Sequence, residues 1–242
     1  MEKFLTVENV HASYGKFKVL QDLSFEVEEG QVLGIIGPNG AGKTTLMNVL
    51  CGLLIPSEGK ITFKGRDIAK LNPDDRCRAG LGRTYQIPRP FERLTVFENV
   101  LVAAAYGTGR SETEAAPDAI EILKQTGIYQ KGDVESRELA LLDRKRLEIA
   151  RSLASRPTLL LLDEVAAGLT DAEVHDVMQL VEYLKSTGIT IIWIEHVMKT
   201  MAESTDMLLC LSVGTNLIYG RPEVVMNSKE VEEVYLGVEV DE

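Results

Sequence analysis

The residues best placed to do chemistry are Gly37-Pro38-Asn39-Gly40-Ala41-Gly42-Lys43-Thr44, which fit the spacing GxxxxGK[ST]. Val32–Ile36 before them reads as a buried strand, and Thr45–Leu50 after them as the first turns of a helix. A glycine-rich loop between strand and helix turns its backbone N–H groups onto an anion, and the helix start adds its positive dipole end. In such a loop Lys43 supplies a cation at the β- and γ-phosphates, and Thr44 a hydroxyl ligand for Mg²⁺. A second chemical group, Asp163-Glu164, closes the apolar run Leu159–Leu162. Ligands in α/β folds bind at the carboxyl ends of strands. There Asp163 would orient the Mg²⁺ shell and Glu164 would polarise the attacking water. A third run, Ile191–Ile194, ends in Glu195-His196, from where His196 could reach a γ-phosphate. His11 and His175 have no such setting.

The elements that must position these groups alternate along the chain. Leu5–Val10 and Val19–Val27 read as antiparallel strands, and Lys60–Phe63 as a further strand. The middle lacks strand signals, and Phe97–Ala105, Thr113–Thr126 and Lys145–Leu153 read as helices. After it come strands at Leu159–Leu162, Ile189–Ile194, Met207–Ser212 and Asn216–Tyr219, with helices at Asp171–Ser186, His196–Glu203 and Ser228–Tyr235. This alternation predicts a mainly parallel sheet covered on both faces. The expected organisation is one domain, residues 1–242, with a catalytic core at 1–90 and 157–242 and a helical subdomain at 91–156.

With 242 residues the chain is long enough for one large α/β domain. Its net charge of −11 argues against nucleic acid as a partner. No apolar run approaches the ~20 residues that cross a bilayer. The N-terminus lacks the shape of a signal peptide, so the expected place is the cytoplasm. Cys51, Cys77 and Cys210 have neither metal-site nor disulfide spacing.

Taken together, the phosphate loop, Leu160-Leu161-Leu162-Asp163-Glu164 and the strand-end His196 resemble the ATPase domain of ABC transporters. Gln86, in Arg83-Thr84-Tyr85-Gln86, stands where that family has its Q-loop glutamine, near Mg²⁺ and the lytic water. Tyr14 stands where the family stacks a ring on adenine. The resemblance covers the whole chain. It implies a P-loop NTPase core, an antiparallel β subdomain and an inserted helical subdomain. It also implies ATP and Mg²⁺ at Tyr14 and at Gly37 to Thr45, with Thr44, Gln86 and Asp163 about the metal. Glu164, His196 and Gln86 would be catalytic.

The finer resemblance is to ATPases of branched-chain amino acid importers. It rests on Arg83–Gln86 followed by Leu94–Val100, on Arg146–Arg151, on Ile194-Glu195-His196, on Gly220–Val224 and on Tyr235-Leu236-Gly237. What it implies is an energy-coupling subunit bound to membrane permease subunits on the inner face of the membrane, and indirectly serving an external substrate-binding protein. The alternatives are an ATPase of lipid or lipopolysaccharide export, or a nucleotide-dependent regulator with little hydrolysis. Pro88, Arg89, Pro90 and Phe91 would lie near the permease-facing surface.

The family's signature, LSGGQ, reads here as Leu139-Ala140-Leu141-Leu142-Asp143. In the family two ATPase subunits pair head to tail, and each signature closes over the other's γ-phosphate. Losing a hydroxyl bond to a charged group costs roughly 1.5–3 kcal/mol. An inward-pointing Asp143 would add repulsion of about 1–4 kcal/mol at ~4 Å, depending on screening. The expectation is a weakened signature and, in consequence, a heterodimer with a second ATPase subunit, a homodimer being the other possibility.

Overall fold

The computed structural model describes residues 3–236. The chain opens with strands β1 (Leu5–Tyr14), β2 (Phe17–Val27) and β3 (Val32–Ile36), then helix α1 (Lys43–Leu50). Strands β4 (Glu58–Phe63) and β5 (Arg66–Asp67), helix α2 (Pro73–Ala79) and strand β6 (Leu81–Arg83) follow. Helices α3 (Val96–Thr108), α4 (Glu112–Gln125) and α5 (Leu141–Ala154) fill the middle. Then come β7 (Leu159–Asp163), α6 (Asp171–Ser186), β8 (Thr190–Ile194) and α7 (Met198–Ser204). The remaining elements are β9 (Met207–Ser212), β10 (Thr215–Gly220), α8 (Pro222–Met226) and α9 (Lys229–Leu236). These elements form two compact units. One combines the segments before Cys77 and after Ile189, and the other is Cys77–Ile189.

The first unit holds an antiparallel sheet, β2-β1-β4-β5, and a second group of strands in the order β10-β9-β3-β8. Strand β1 runs four residues beyond the expected end at Val10, for a visible reason. Its buried residues change phase, from Leu5 and Val7 to Val10 and Ala12. The shift falls at a register break beside Asn9, whose φ is +47°. A bulge of this kind breaks the alternation that marks a strand in sequence. Strand β3 is buried throughout and runs parallel to β8 (Val32 opposite Ile191) and to β9 (Leu33 opposite Met207). A strand buried on both faces reads as a continuous apolar run rather than an alternating one.

Arg76 belongs to the core of this unit although arginine is almost never fully buried. Its guanidinium donates to Val49 O (2.5 Å), Leu50 O (2.8 Å), Ala69 O (2.9 Å) and Leu71 O (3.0 Å). Two of these acceptors lie in the last turn of α1, whose final carbonyls have no partners within the helix. Burial holds the guanidinium pKa below its ordinary value.

In the second unit β6 and β7 run parallel, Leu81 opposite Leu159. Three of its helices start at capping boxes: Thr95 with Glu98 on α3, Ser111 with Glu114 on α4, and Thr170 with Glu173 on α6. Each box satisfies two otherwise orphaned N–H groups. The segment 91–156, expected to be helical, lies wholly within this unit and supplies α3, α4 and α5.

Candidate nucleotide site

The phosphate loop belongs to the first unit. The loop leaves β3 at Gly37, whose φ is +144°, and enters α1 through Gly42, whose φ is +101°. A side chain at Gly37 would strike the carbonyl of Leu211, and one at Gly42 would meet Leu20 at 2.8 Å. Both positions therefore need glycine for space as well as for conformation. Lys43 is 6% exposed, and its ammonium donates to Gly37 O (2.6 Å) and Pro38 O (3.0 Å). Charge-assisted bonds of this length offset the burial of the cation. The Thr44 side chain is exposed, whereas Thr45 is buried. Tyr14 is half exposed at the end of β1, and its hydroxyl accepts from Asn48 Nδ2 on α1 at 3.1 Å. Glu195 follows β8 and is buried, and His196 after it is exposed.

One contact at this loop was not part of the sequence reading. The Gly37 N–H donates to the Tyr235 hydroxyl at 2.7 Å. Tyr235 stands in the ending Tyr235-Leu236-Gly237, of which Gly237 lies outside the described residues. Burial raises the Tyr235 pKa, and the bond from Gly37 opposes the rise. Nearby Cys210 is buried and its thiol is pushed up to about 11, so it stays protonated at neutral pH.

The acid pair belongs to the second unit. Asp163 is 3% exposed at the end of β7 and pairs with Arg83 Nη2 at 3.0 Å. Burial raises its pKa above the ordinary aspartate value, Arg83 works against that rise, and the charge of Glu164 adds to it. Glu164 takes a left-handed backbone, φ +48°, unfavourable for a residue with a Cβ. Its carboxylate accepts from Gln86 Nε2. The structure thus joins Gln86 to Glu164, two residues read separately from the sequence. It also adds Arg83, whose only sequence signal was a cation three residues before Gln86.

A glycine loop shaped for close backbone approach and a strand-end acid pair have counterparts among known proteins. The family model described as ABC transporter matches residues 20–167. The high-affinity branched-chain amino acid transport ATP-binding protein LivG of Salmonella typhimurium is 35% identical over 251 residues, covering 98% of each chain. The lipopolysaccharide export system ATP-binding protein LptB of Haemophilus influenzae is 34% identical, covering 96% of this chain and 97% of its own. Among solved structures, the ADP conformation of MJ1267, an ATP-binding cassette of an ABC transporter, superposes with a TM-score of 0.88. It is 32% identical and is covered over its full length by 98% of this chain. The chain belongs to the ABC transporter family.

It is an ATP-binding cassette of mixed α/β architecture, and its chemistry is that of an ATPase. ATP-binding subunits of ABC transporters work with membrane permease subunits. Among the described residues no helix is long and apolar enough to cross a membrane.

The segment 139–143, which resembles the family's signature, leads into α5. Asp143 does not stand as an open anion: it is buried and pairs with Lys131. A cation at that position lowers the net negative charge of the segment. Ala140 occupies the N-cap of α5 with no side-chain hydrogen bond. Ala140 and Leu141 are exposed, Leu142 is half-buried and Leu139 is buried.

Proposed function

We propose that this ABC ATPase powers an importer of branched-chain or related small amino acids or amides, held on the inner membrane face by its permease. The observation that carries this reading is the full-length similarity to LivG of Salmonella typhimurium. The helical segment 91–156 and Pro88–Phe91 would form the permease-facing region. Phe91 and Ile87 are exposed there, as apolar contacts with a membrane subunit require. A substrate-binding protein would deliver the solute to the permease and not to this chain.

In this reading the amides of Gly37 to Thr45 and the Lys43 ammonium hold the phosphates of ATP, and Tyr14 stacks on adenine. Thr44, Asp163 and Gln86 would attend Mg²⁺. Among the described residues no three His, Cys, Asp or Glu side chains gather into a cage. One carboxylate beside neutral oxygen donors would suit Mg²⁺, which takes much of its coordination from water and phosphate. When bound, the ion neutralises phosphate charge during transfer. Glu164 polarises the attacking water, Gln86 orients it, and His196 stabilises the phosphoryl charge.

Signature residues Leu139 to Asp143 would meet nucleotide on a second ATPase subunit. The absence of a hydroxyl at Ala140 favours a heterodimer, in which the partner's site is the slower one. Co-purification with the neighbouring permease, followed by ATP-dependent leucine uptake into proteoliposomes, tests the function. Uptake abolished by Lys43→Ala supports it; a complex that moves no amino acid or amide excludes it. The similarity to LptB keeps one second reading, an export ATPase, which the same vesicles would reveal by extraction of lipopolysaccharide.

A further inference from the structure

Lys145 lies about one turn into α5 and is 2% exposed. An ammonium removed from water requires acceptors in its place. Its Nζ donates to the carbonyl of Gln86 at 2.6 Å and to the carbonyl of Glu164 at 3.0 Å. These are the two residues whose side chains touch through Gln86 Nε2 and the Glu164 carboxylate. One cation therefore binds both backbones from which the water-handling groups hang. Glu164 gains most from this, because its left-handed backbone is one that a side-chain-bearing residue leaves readily when nothing holds it.

We propose that Lys145 is a positioning residue for hydrolysis, fixing the Gln86 and Glu164 peptides so that amide and carboxylate stay in register. It would act through those two peptides rather than by contact with nucleotide. The proposal rests on the reading that Glu164 and Gln86 serve the lytic water. A lysine that merely packed α5 would affect stability and leave the catalytic step alone. A positioning lysine affects the step itself, since small misplacements of catalytic groups reduce rates by about ten- to a hundredfold.

The full chain is compared as wild type, Lys145→Met, Lys145→Arg and Lys145→Gln. The readouts are phosphate release, Mg-ATP affinity, melting temperature and amide hydrogen exchange. The expected result for Lys145→Met is a kcat lower by roughly ten- to a hundredfold, with Mg-ATP affinity within about twofold. Exchange should rise at residues 84–90 and 163–167 and stay unchanged at 37–44. Lys145→Arg, which keeps the charge and several donors, should recover most of kcat, and Lys145→Gln should lie between Arg and Met. Unchanged kcat and exchange in Lys145→Met would overturn the proposal. So would losses of kcat, affinity and melting temperature in parallel. If Lys145→Met does not fold, equal kcat and equal exchange in the Arg and Gln variants would overturn it. Glu164→Gln run alongside separates the two claims: normal hydrolysis there defeats the underlying reading, whereas a dead Glu164→Gln beside a normal Lys145→Met defeats only the role of Lys145.

Discussion

Asp163 is a carboxylate held where burial opposes its charge, with Arg83 compensating only in part. Its pKa in the fold is raised above the unfolded value of about 3.9. Below that value both states carry the proton and the residue contributes no difference. As pH rises through the raised folded pKa, the native state must bear a desolvated charge, so stability is lost in that window. The stability of Asp163→Asn relative to wild type should therefore rise between pH 4 and pH 7, on top of a pH-independent cost for leaving the buried Arg83 without its carboxylate; thermal melts between pH 4 and 8 read this directly. A difference independent of pH would show that desolvation is not the cause. At the signature, Ala140→Ser places a hydroxyl at the open N-cap of α5 and should stabilise by about 0.5–2 kcal/mol in urea titrations. Most of the residue-scale site was legible because glycine, lysine and threonine at fixed spacing admit few physical readings. Arg83, Lys131 and Lys145 were not legible. A cation that binds a distant carbonyl or carboxylate leaves no mark in local spacing.

At the scale of elements, the phosphate-loop helix is held at its far end by Arg76 and the loop before it by Tyr235. Arg76→Met leaves up to four buried carbonyls without this donor. An unsatisfied buried group costs ~1–3 kcal/mol, so a total loss of about 3 kcal/mol or more is expected from denaturant unfolding. Tyr235→Phe removes one neutral hydrogen bond to Gly37 N–H, worth ~1 kcal/mol. Calorimetry should show weaker nucleotide binding by a few-fold in this variant. Tyr219→Phe, which loses an equivalent bond to Glu26 O, should leave nucleotide binding unchanged. Long helices and buried strands were visible in the sequence through their periodicity and their apolar runs. Short elements were not. The two-residue β5, the three-residue β6 and the five-residue α8 are set by what they pack against rather than by a pattern of their own. The extension of β1 was hidden by the bulge at Asn9, which inverts the alternation halfway along.

For the whole molecule, the family membership and the full-length similarity to transport ATP-binding proteins make this chain an ATP-binding cassette. The sequence carried the fold class because the motifs fall at strand ends in an alternating chain. Its site residues carried nothing about the solute, because groups that serve nucleotide need not touch a transported molecule; the amino-acid reading comes from similarity along the chain alone. The central claim is that this chain hydrolyses ATP through Glu164. Phosphate release and Mg-ATP binding measured side by side for wild type and Glu164→Gln test it most directly. The wild type should turn over ATP, and the variant should lose at least about a hundredfold in rate with binding retained within a few-fold. Equal turnover in the two proteins, or a wild type that does not bind Mg-ATP, would contradict that claim.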